Sequence, residues 1–357
     1  MEIPFLKKNE DEMPKAKKGD INVLMVGGRR TGKTSILASM AQCCMTKLAG
    51  VEQLSIVRDE DSGVGLTTKQ KELNQYFSKK YMKNPFFIAD LNPSLNDQSY
   101  GFDIDVNEKD LGYNLRFTDI PGEWLDNPAF AQKLQNAMNM SQVIIIAIDT
   151  PHLVEEIDPA FGYGAYHDSF NRVNELTNFF KNTFQNCTEH RLVIFVPLKC
   201  EKYYYQNEVN PDKMGLPMVN AMVKKGYKDL IDYLTCSDVH ELCTTAIMPI
   251  LTLGGAEFFE FDENGFAGLY SYVLDPALQK FAPKFCEQPL FLTLQYVIAL
   301  TKIRNGKHKI ATWFNQTFRN QAKLDQLVSC ENTLKGLIEA DKSLGFEILN
   351  DPLKMMH

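Results

Sequence analysis

The residues Gly27-Gly28-Arg29-Arg30-Thr31-Gly32-Lys33-Thr34 are spaced G-x-x-x-x-G-K-T and follow directly on the apolar run Ile21-Asn22-Val23-Leu24-Met25-Val26. Strand, glycine-bounded turn and helix start, in that order, make a loop whose backbone N–H groups can curl around an anion, because glycine tolerates the φ values such a curl demands. Lys33 adds a point charge for the terminal phosphates of a bound polyphosphate. A helix opening at Lys33 aims the positive end of its dipole at the same group. The Thr34 hydroxyl is placed to ligate Mg²⁺, and Ser35 ends the stretch that would hold the phosphates.

A second constellation is Asp119-Ile120-Pro121-Gly122-Glu123, about 85 residues beyond Lys33. Tyr113, Leu115 and Phe117 alternate with polar residues before it, so Asp119 continues the strand phase and its carboxylate leaves the sheet at the carboxyl edge. There it can hold a Mg²⁺-bound water while the N–H of Gly122 senses a γ-phosphate. Glu123 can accept a proton from an attacking water but repels the γ-phosphate unless a cation balances it. Arg29 and Arg30 are the candidates: one of them pairs with Glu123 or touches the γ-phosphate, or both are simply solvated at the loop tip.

Further along, Pro197-Leu198-Lys199-Cys200-Glu201-Lys202 follows the apolar run Leu192–Val196, and Thr252-Leu253-Gly254-Gly255-Ala256 follows Ile247–Leu251. These four segments together resemble the motif series of TRAFAC-class P-loop GTPases, spanning about residues 20–305. Within that class, D-I-P-G-E, P-L-K-C-E, T-L-G-G and the later Ala282-Pro283-Lys284…Gln288-Pro289-Leu290 are most similar to the bacterial double-GTPase group of conflict and signalling operons. The resemblance puts Glu123 where many such GTPases carry the glutamine that orients water. It puts Lys199 and Glu201 on an N/T-K-x-D motif, in which the lysine stem covers guanine and the carboxylate accepts from its N1–H and amine. Leu198 replaces the polar first residue of that motif and glutamate replaces aspartate; a plain charged loop is the other reading. The switch threonine is open among Ser94, Thr67 and Thr68. The implied activity is GTP binding with slow hydrolysis and a switch between nucleotide states, with GTP or GDP as ligand, Mg²⁺ as cofactor, and an effector or operon partner. An ATPase or phosphotransferase, and a non-hydrolysing nucleotide-binding scaffold, are the alternatives.

The elements that must carry these loops are those of an α/β fold. Val143–Ile148, Leu192–Val196 and Ile247–Leu251 are short and almost wholly apolar, as expected of parallel strands buried on both faces. Residues 100–106 and 113–117 alternate as a β-hairpin, and helices are expected at 33–48, 66–82, 128–140, 166–185 and 218–234. This is a mostly parallel doubly wound sheet with one antiparallel edge. Residues 1–19 read as a flexible leader, 20–305 as the nucleotide domain with insertions at about 49–98 and 201–217, and 306–357 as a helical extension. In that extension Leu324, Leu327, Val328, Leu334, Leu337 and Ile338 share a helix face that docks on the domain, a short coiled coil being the other reading.

A formal charge of −7 argues against nonspecific binding to nucleic acid or anionic membrane, and no apolar run reaches the roughly 18 residues of a membrane helix. Eight cysteines without C-x-x-C pairs suit a reducing cytoplasm. His152, His167, His190 and His240 read as surface or packing residues, and Tyr203-Tyr204-Tyr205 as local packing rather than a docking surface.

Overall fold

In this computed structural model, residues 20–48, 54–58, 60–88, 97–106, 112–185, 187–236, 238–263, 267–306, 321–340 and 345–355 are described. The leader at 1–19 and the candidate Ser94 lie outside them. The strands are β1 (Asp20–Val26), β2 (Leu54–Arg58), β3 (Phe86–Ile88), β4 (Gln98–Val106), β5 (Gly112–Asp119), β6 (Val143–Asp149), β7 (Arg191–Leu198), β8 (Cys243–Ile247), β9 (Ala256–Phe261), β10 (Gly268–Tyr272) and β11 (Glu347–Asn350). The helices are α1 (Lys33–Leu48), α2 (Glu60–Gln75), α3 (Ala131–Met140), α4 (Thr150–Val154), α5 (His167–Asn171), α6 (Val173–Phe184), α7 (Glu201–Val209), α8 (Leu216–Gly226), α9 (Lys228–Cys236), α10 (Gln288–Gly306) and α11 (Gln321–Ala340).

Eight strands form the main sheet in the order β11-β8-β7-β6-β1-β5-β4-β2. The five central strands pair in parallel, and every residue of β6, β7 and β8 is buried, which is why their sequences, apart from Asp149 closing β6 and Arg191 opening β7, are continuous apolar or Thr-containing runs without alternation. The hairpin of β4 and β5 makes the expected antiparallel edge, extended by β2. At the other edge the short β11 pairs antiparallel with β8. Because the central strands share one direction, Gly27, Ile120, Thr150 and Lys199, each following its strand, meet at a single sheet edge.

Several boundaries move from their expected places. The third apolar strand lies at Cys243–Ile247 rather than 247–251: Pro249 cannot donate to a ladder, although Met248 N–H and Ile250 N–H still bond to Phe195 and Pro197 of β7. The helix expected at 166–185 breaks at Arg172, whose φ is +56°, and that at 218–234 divides between Gly226 and Lys228. The helix expected at 66–82 starts earlier, at Glu60, and gives way after Gln75 to turns and the short 3₁₀ segment Tyr81–Lys83. A second sheet, β3-β10-β9, is antiparallel and was not foreseen. Its inner residues Phe87, Phe258 and Tyr270 bury with Leu73, Tyr76, Leu253 and Ala38 of α1. Cys330, Leu334 and Ile338 of α11 bury in the main core, as the docking reading of that helix face expects, whereas the side chains of Leu324, Leu327 and Val328 lie outside the described residues.

Arg191 anchors the start of β7. It is buried, and its guanidinium donates to the carbonyls of Met138 at 2.7 Å, Asn139 at 2.8 Å and Ser141 at 2.5 Å, closing the C-terminal end of α3 just before β6. Arg191→Met leaves those carbonyls without their donor; given 1–3 kcal/mol for an orphaned buried group, we expect about 3 kcal/mol of lost stability. The shift of the urea unfolding midpoint measures it.

Candidate functional site

The turn after β1 is fixed by close approaches that leave no room for side chains. A Cβ on Gly28 would lie 1.8 Å from the carbonyl oxygen of Phe170, and one on Gly122 would lie 2.4 Å from the amide nitrogen of Arg29. The loop is thus pressed between the α5 region on one side and the segment after β5 on the other. Thr31 closes the turn by donating its hydroxyl to the Gly28 carbonyl at 3.1 Å, and the Gly32 carbonyl accepts the first bond of α1 from Ile36 N–H. Lys33 is buried, and its ammonium donates to the carbonyls of Gly27 and Gly28 at 3.0 and 2.9 Å. Burial lowers its pKa, and the carboxylates of Asp119 and Glu123 oppose that shift.

Asp119 ends β5 in register with Met25 of β1, and its inward phase continues that of Leu115 and Phe117. Its Oδ2 accepts the Thr34 hydroxyl at 2.6 Å. Burial raises the pKa of this carboxyl, while Lys33 and the Thr34 hydroxyl pull it back toward the charged form. Thr34 hydroxyl, Asp119 carboxylate and Lys33 ammonium therefore converge under the turn, and two adjacent hard oxygens are the donor chemistry that suits Mg²⁺. Beyond Gly122, Glu123 Oε1 pairs with Arg29 Nε at 3.0 Å, both groups about half exposed. Of the two candidate arginines, Arg29 makes the pair with Glu123, while the Arg30 carbonyl accepts from Lys199. Ser35 follows in the first turn of α1.

Lys199 follows β7 with a φ of +61°, which turns its side chain back to the loop. Its ammonium donates to the Arg30 carbonyl at 3.1 Å and to Asp149 Oδ2 at 2.5 Å. Burial would push the Asp149 carboxyl up, but Lys199 and His152 outweigh it and hold that carboxyl well below the usual carboxylate range. Lys199 is held above the ordinary lysine value for the same reason, against its own burial. Two residues on, Glu201 opens α7, is 2% exposed, and its Oε1 accepts the N–H groups of Leu253 at 2.6 Å and Gly254 at 3.1 Å. The structure thus joins Glu201 to the Thr252–Gly255 loop.

The candidates Thr67 and Thr68 lie within α2, where the Thr68 hydroxyl donates back to the Val64 carbonyl of its own helix. Tyr203 and Tyr205 donate to Glu155 and to the Gly254 carbonyl, in keeping with local packing. Sequence reasoning passed over Asp149, although it ends a buried apolar strand at the carboxyl edge of a parallel sheet, the place where ligand sites gather. Tyr270 and the small sheet left no motif to find. Among the described residues no helix is long and apolar enough to cross a membrane.

No protein-family model matches the chain, and no curated protein matches it. Among solved structures, the GTPase-like domain of Saccharomyces cerevisiae Ski7 bound to GTP is similar at 15% identity and a TM-score of 0.34, covering 66% of this chain and 43% of that one. The same domain bound to GDP and inorganic phosphate is similar at 16% identity and a TM-score of 0.36, covering 82% of this chain and 51% of that one. The chain thus spans about half the length of these solved chains.

The Glu201 carboxyl titrates near neutrality: burial raises it to about 7 against the opposing pull of the Leu253 and Gly254 amides. A raised folded-state value means that the stability this group favours is present below about pH 4.5 and is lost as pH climbs through about 7. Glu201→Gln, which keeps an acceptor and cannot ionise, should gain on the wild type by up to about 3 kcal/mol between pH 5 and 8. Paired denaturation curves across that range give the difference.

Proposed function

We propose that this chain binds guanine nucleotide, hydrolyses GTP slowly and uses the exchange of nucleotide states as a cytoplasmic molecular switch. The observation that carries the reading is the 2.6 Å bond between Thr34 and Asp119 beneath a G-x-x-x-x-G-K-T turn, with Lys33 beside it. In this reading Gly27 to Ser35 cradle the phosphates through backbone amides, Lys33 leaves the loop carbonyls for the β- and γ-phosphates, and the Gly122 N–H meets the γ-phosphate. Thr34 and Asp119 would hold Mg²⁺, which when bound supplies charge neutralisation on the phosphates. Glu123 receives the proton of the attacking water and Arg29 balances its charge, so that hydrolysis is positioning plus charge compensation. Lys199 and Glu201 would read the base, as the motif resemblance implies. The Oε1 hydrogen bonds of Glu201 to Leu253 and Gly254 hold the carboxylate at the loop that lies along it. The nucleotide unit would run over 20–305 and the helical extension over 306–357, and the motif series is most similar to the double-GTPase group. Partners beyond the nucleotide would be an effector or operon partner rather than nucleic acid.

Equilibrium binding of GTP, GDP and ATP, with and without Mg²⁺, tests the reading. The wild type should prefer guanine nucleotides, and Asp119→Asn should lose most of the Mg²⁺-dependent gain in triphosphate affinity, roughly tenfold or more, while GDP without metal is held about as before. Equal affinity for ATP would move the assignment to an ATPase or phosphotransferase. In single-turnover hydrolysis we expect Arg29→Ala and Glu123→Gln to slow phosphate release at least about tenfold with GTP affinity little changed. Unchanged rates in both would remove the pair from the chemistry, and no phosphate release by the wild type over hours would leave a nucleotide-binding scaffold.

A further inference from the structure

Beside the phosphate turn a cleft opens under the small sheet, lined by Arg29, Arg30, Asp149, Lys199, His152 and Tyr270. His152 is 5% exposed and held in one orientation. Its ring stacks on Phe170 at 3.8 Å between centroids and 18° between planes, lies 4.5 Å from Phe261, and places Nδ1 2.8 Å from Asp149 Oδ1. Neither ring nitrogen makes a hydrogen bond among the described residues, but Nδ1 has the Asp149 carboxylate beside it whereas the buried Nε2 has no polar partner. In a neutral ring, a carboxylate beside Nδ1 favours the proton on that nitrogen, and Nε2 then presents a lone pair. A buried acceptor left unmatched is costly, and a ligand donor on the cleft wall would satisfy it.

The position of the cleft narrows what that donor is. Lys199 donates to the Arg30 carbonyl, so the cleft begins where the phosphate turn ends, and Glu201 stands two residues farther along at the proposed base loop. Between the phosphates and the base of a nucleotide lies its pentose. Phosphate oxygens at neutral pH only accept, whereas a sugar hydroxyl can donate to Nε2 and still accept from another group. Phe170 and Ile88 on the same cleft suit the C–H faces of a sugar ring.

We propose that this cleft receives the pentose of the bound nucleotide and that His152 Nε2 accepts a hydrogen bond from one of its hydroxyls, making His152 a determinant of ribose over deoxyribose. The inference rests on the nucleotide reading given above. Its test compares the affinities of GTP, 2′-deoxy-GTP and 3′-deoxy-GTP for the wild type, His152→Phe and His152→Gln. Phenylalanine keeps the stack and removes the acceptor, while glutamine can restore one near Nε2. The wild type should favour GTP over one of the deoxy forms by about 5- to 10-fold. His152→Phe should bind all three with that preference gone, and His152→Gln should recover part of it. Equal wild-type affinity for the three, or an unchanged preference in His152→Phe, overturns the role of His152 while triphosphate binding itself stands. A wild type that binds no purine triphosphate removes the nucleotide reading and this inference together. If His152→Phe does not fold, the wild-type preference and the glutamine variant decide.

Discussion

Burying a carboxylate at the end of a strand is among the more costly things a fold can do, and the site is organised around the compensation for it at Asp119. Its charge is supported by the ammonium of Lys33 and by the Thr34 hydroxyl at 2.6 Å, both from the first turn of α1. Strand β5 and helix α1 are therefore held to one another at the sheet edge by groups that would each be strained alone. The turn between β1 and α1 has little freedom left once that contact is made. With Gly28 against Phe170 and Gly122 against Arg29, any shift in the segment after Asp119 is transmitted to the loop by direct contact. In the proposed reading, such a junction would couple a bound anion to the backbone around Glu123, which is the physical requirement for a switch.

A second buried charge, Asp149, performs the same service from the other side. It accepts from Lys199, neighbours the His152 ring, and is bracketed by Asn171, whose amide both donates to its carbonyl and accepts from its N–H. Through Lys199 this network reaches the Arg30 carbonyl, and through Glu201 the polar contacts extend to Leu253 and Gly254. Three loops that follow three different strands are thereby tied to one turn. A polar network of this kind is stable only when its members are nearly all satisfied, so the buried His152 Nε2, without a hydrogen-bond partner among the described residues, stands out.

The segment 122–130 is held at several points beyond Gly122. Trp124 is buried with Phe130 stacked on it at 5.2 Å and Lys133 above its ring, and Asp126 pairs with Arg172 at 2.6 Å. Arg172 occupies the left-handed position that divides α5 from α6. The break in a helix that its sequence pattern would make continuous thus coincides with the place where that helix grips the segment carrying Glu123.

Local chemistry in the sequence determined a good deal. The turn at 27–34, the phase that brings Asp119 to the carboxyl edge, the two-faced apolar strands and the hairpin edge all follow from glycine conformations, period-two alternation and unbroken apolar runs, which neighbours in sequence are enough to specify. For Glu123 the sequence offered Arg29 and Arg30 as balancing cations but left them equally readable as solvated; the structure sets Arg29 against it. Tertiary structure alone decided the rest. Residues 86–88, 256–261 and 268–272 are too short to declare themselves as strands and become a sheet only because their aromatic faces find α1 and α2. Asp149, His152, Asn171 and Lys199 are separated by up to 50 residues and carry no spacing signal. Their partnership arises where neighbouring strands end together, and the low-dielectric interior makes each of these charges depend on the next.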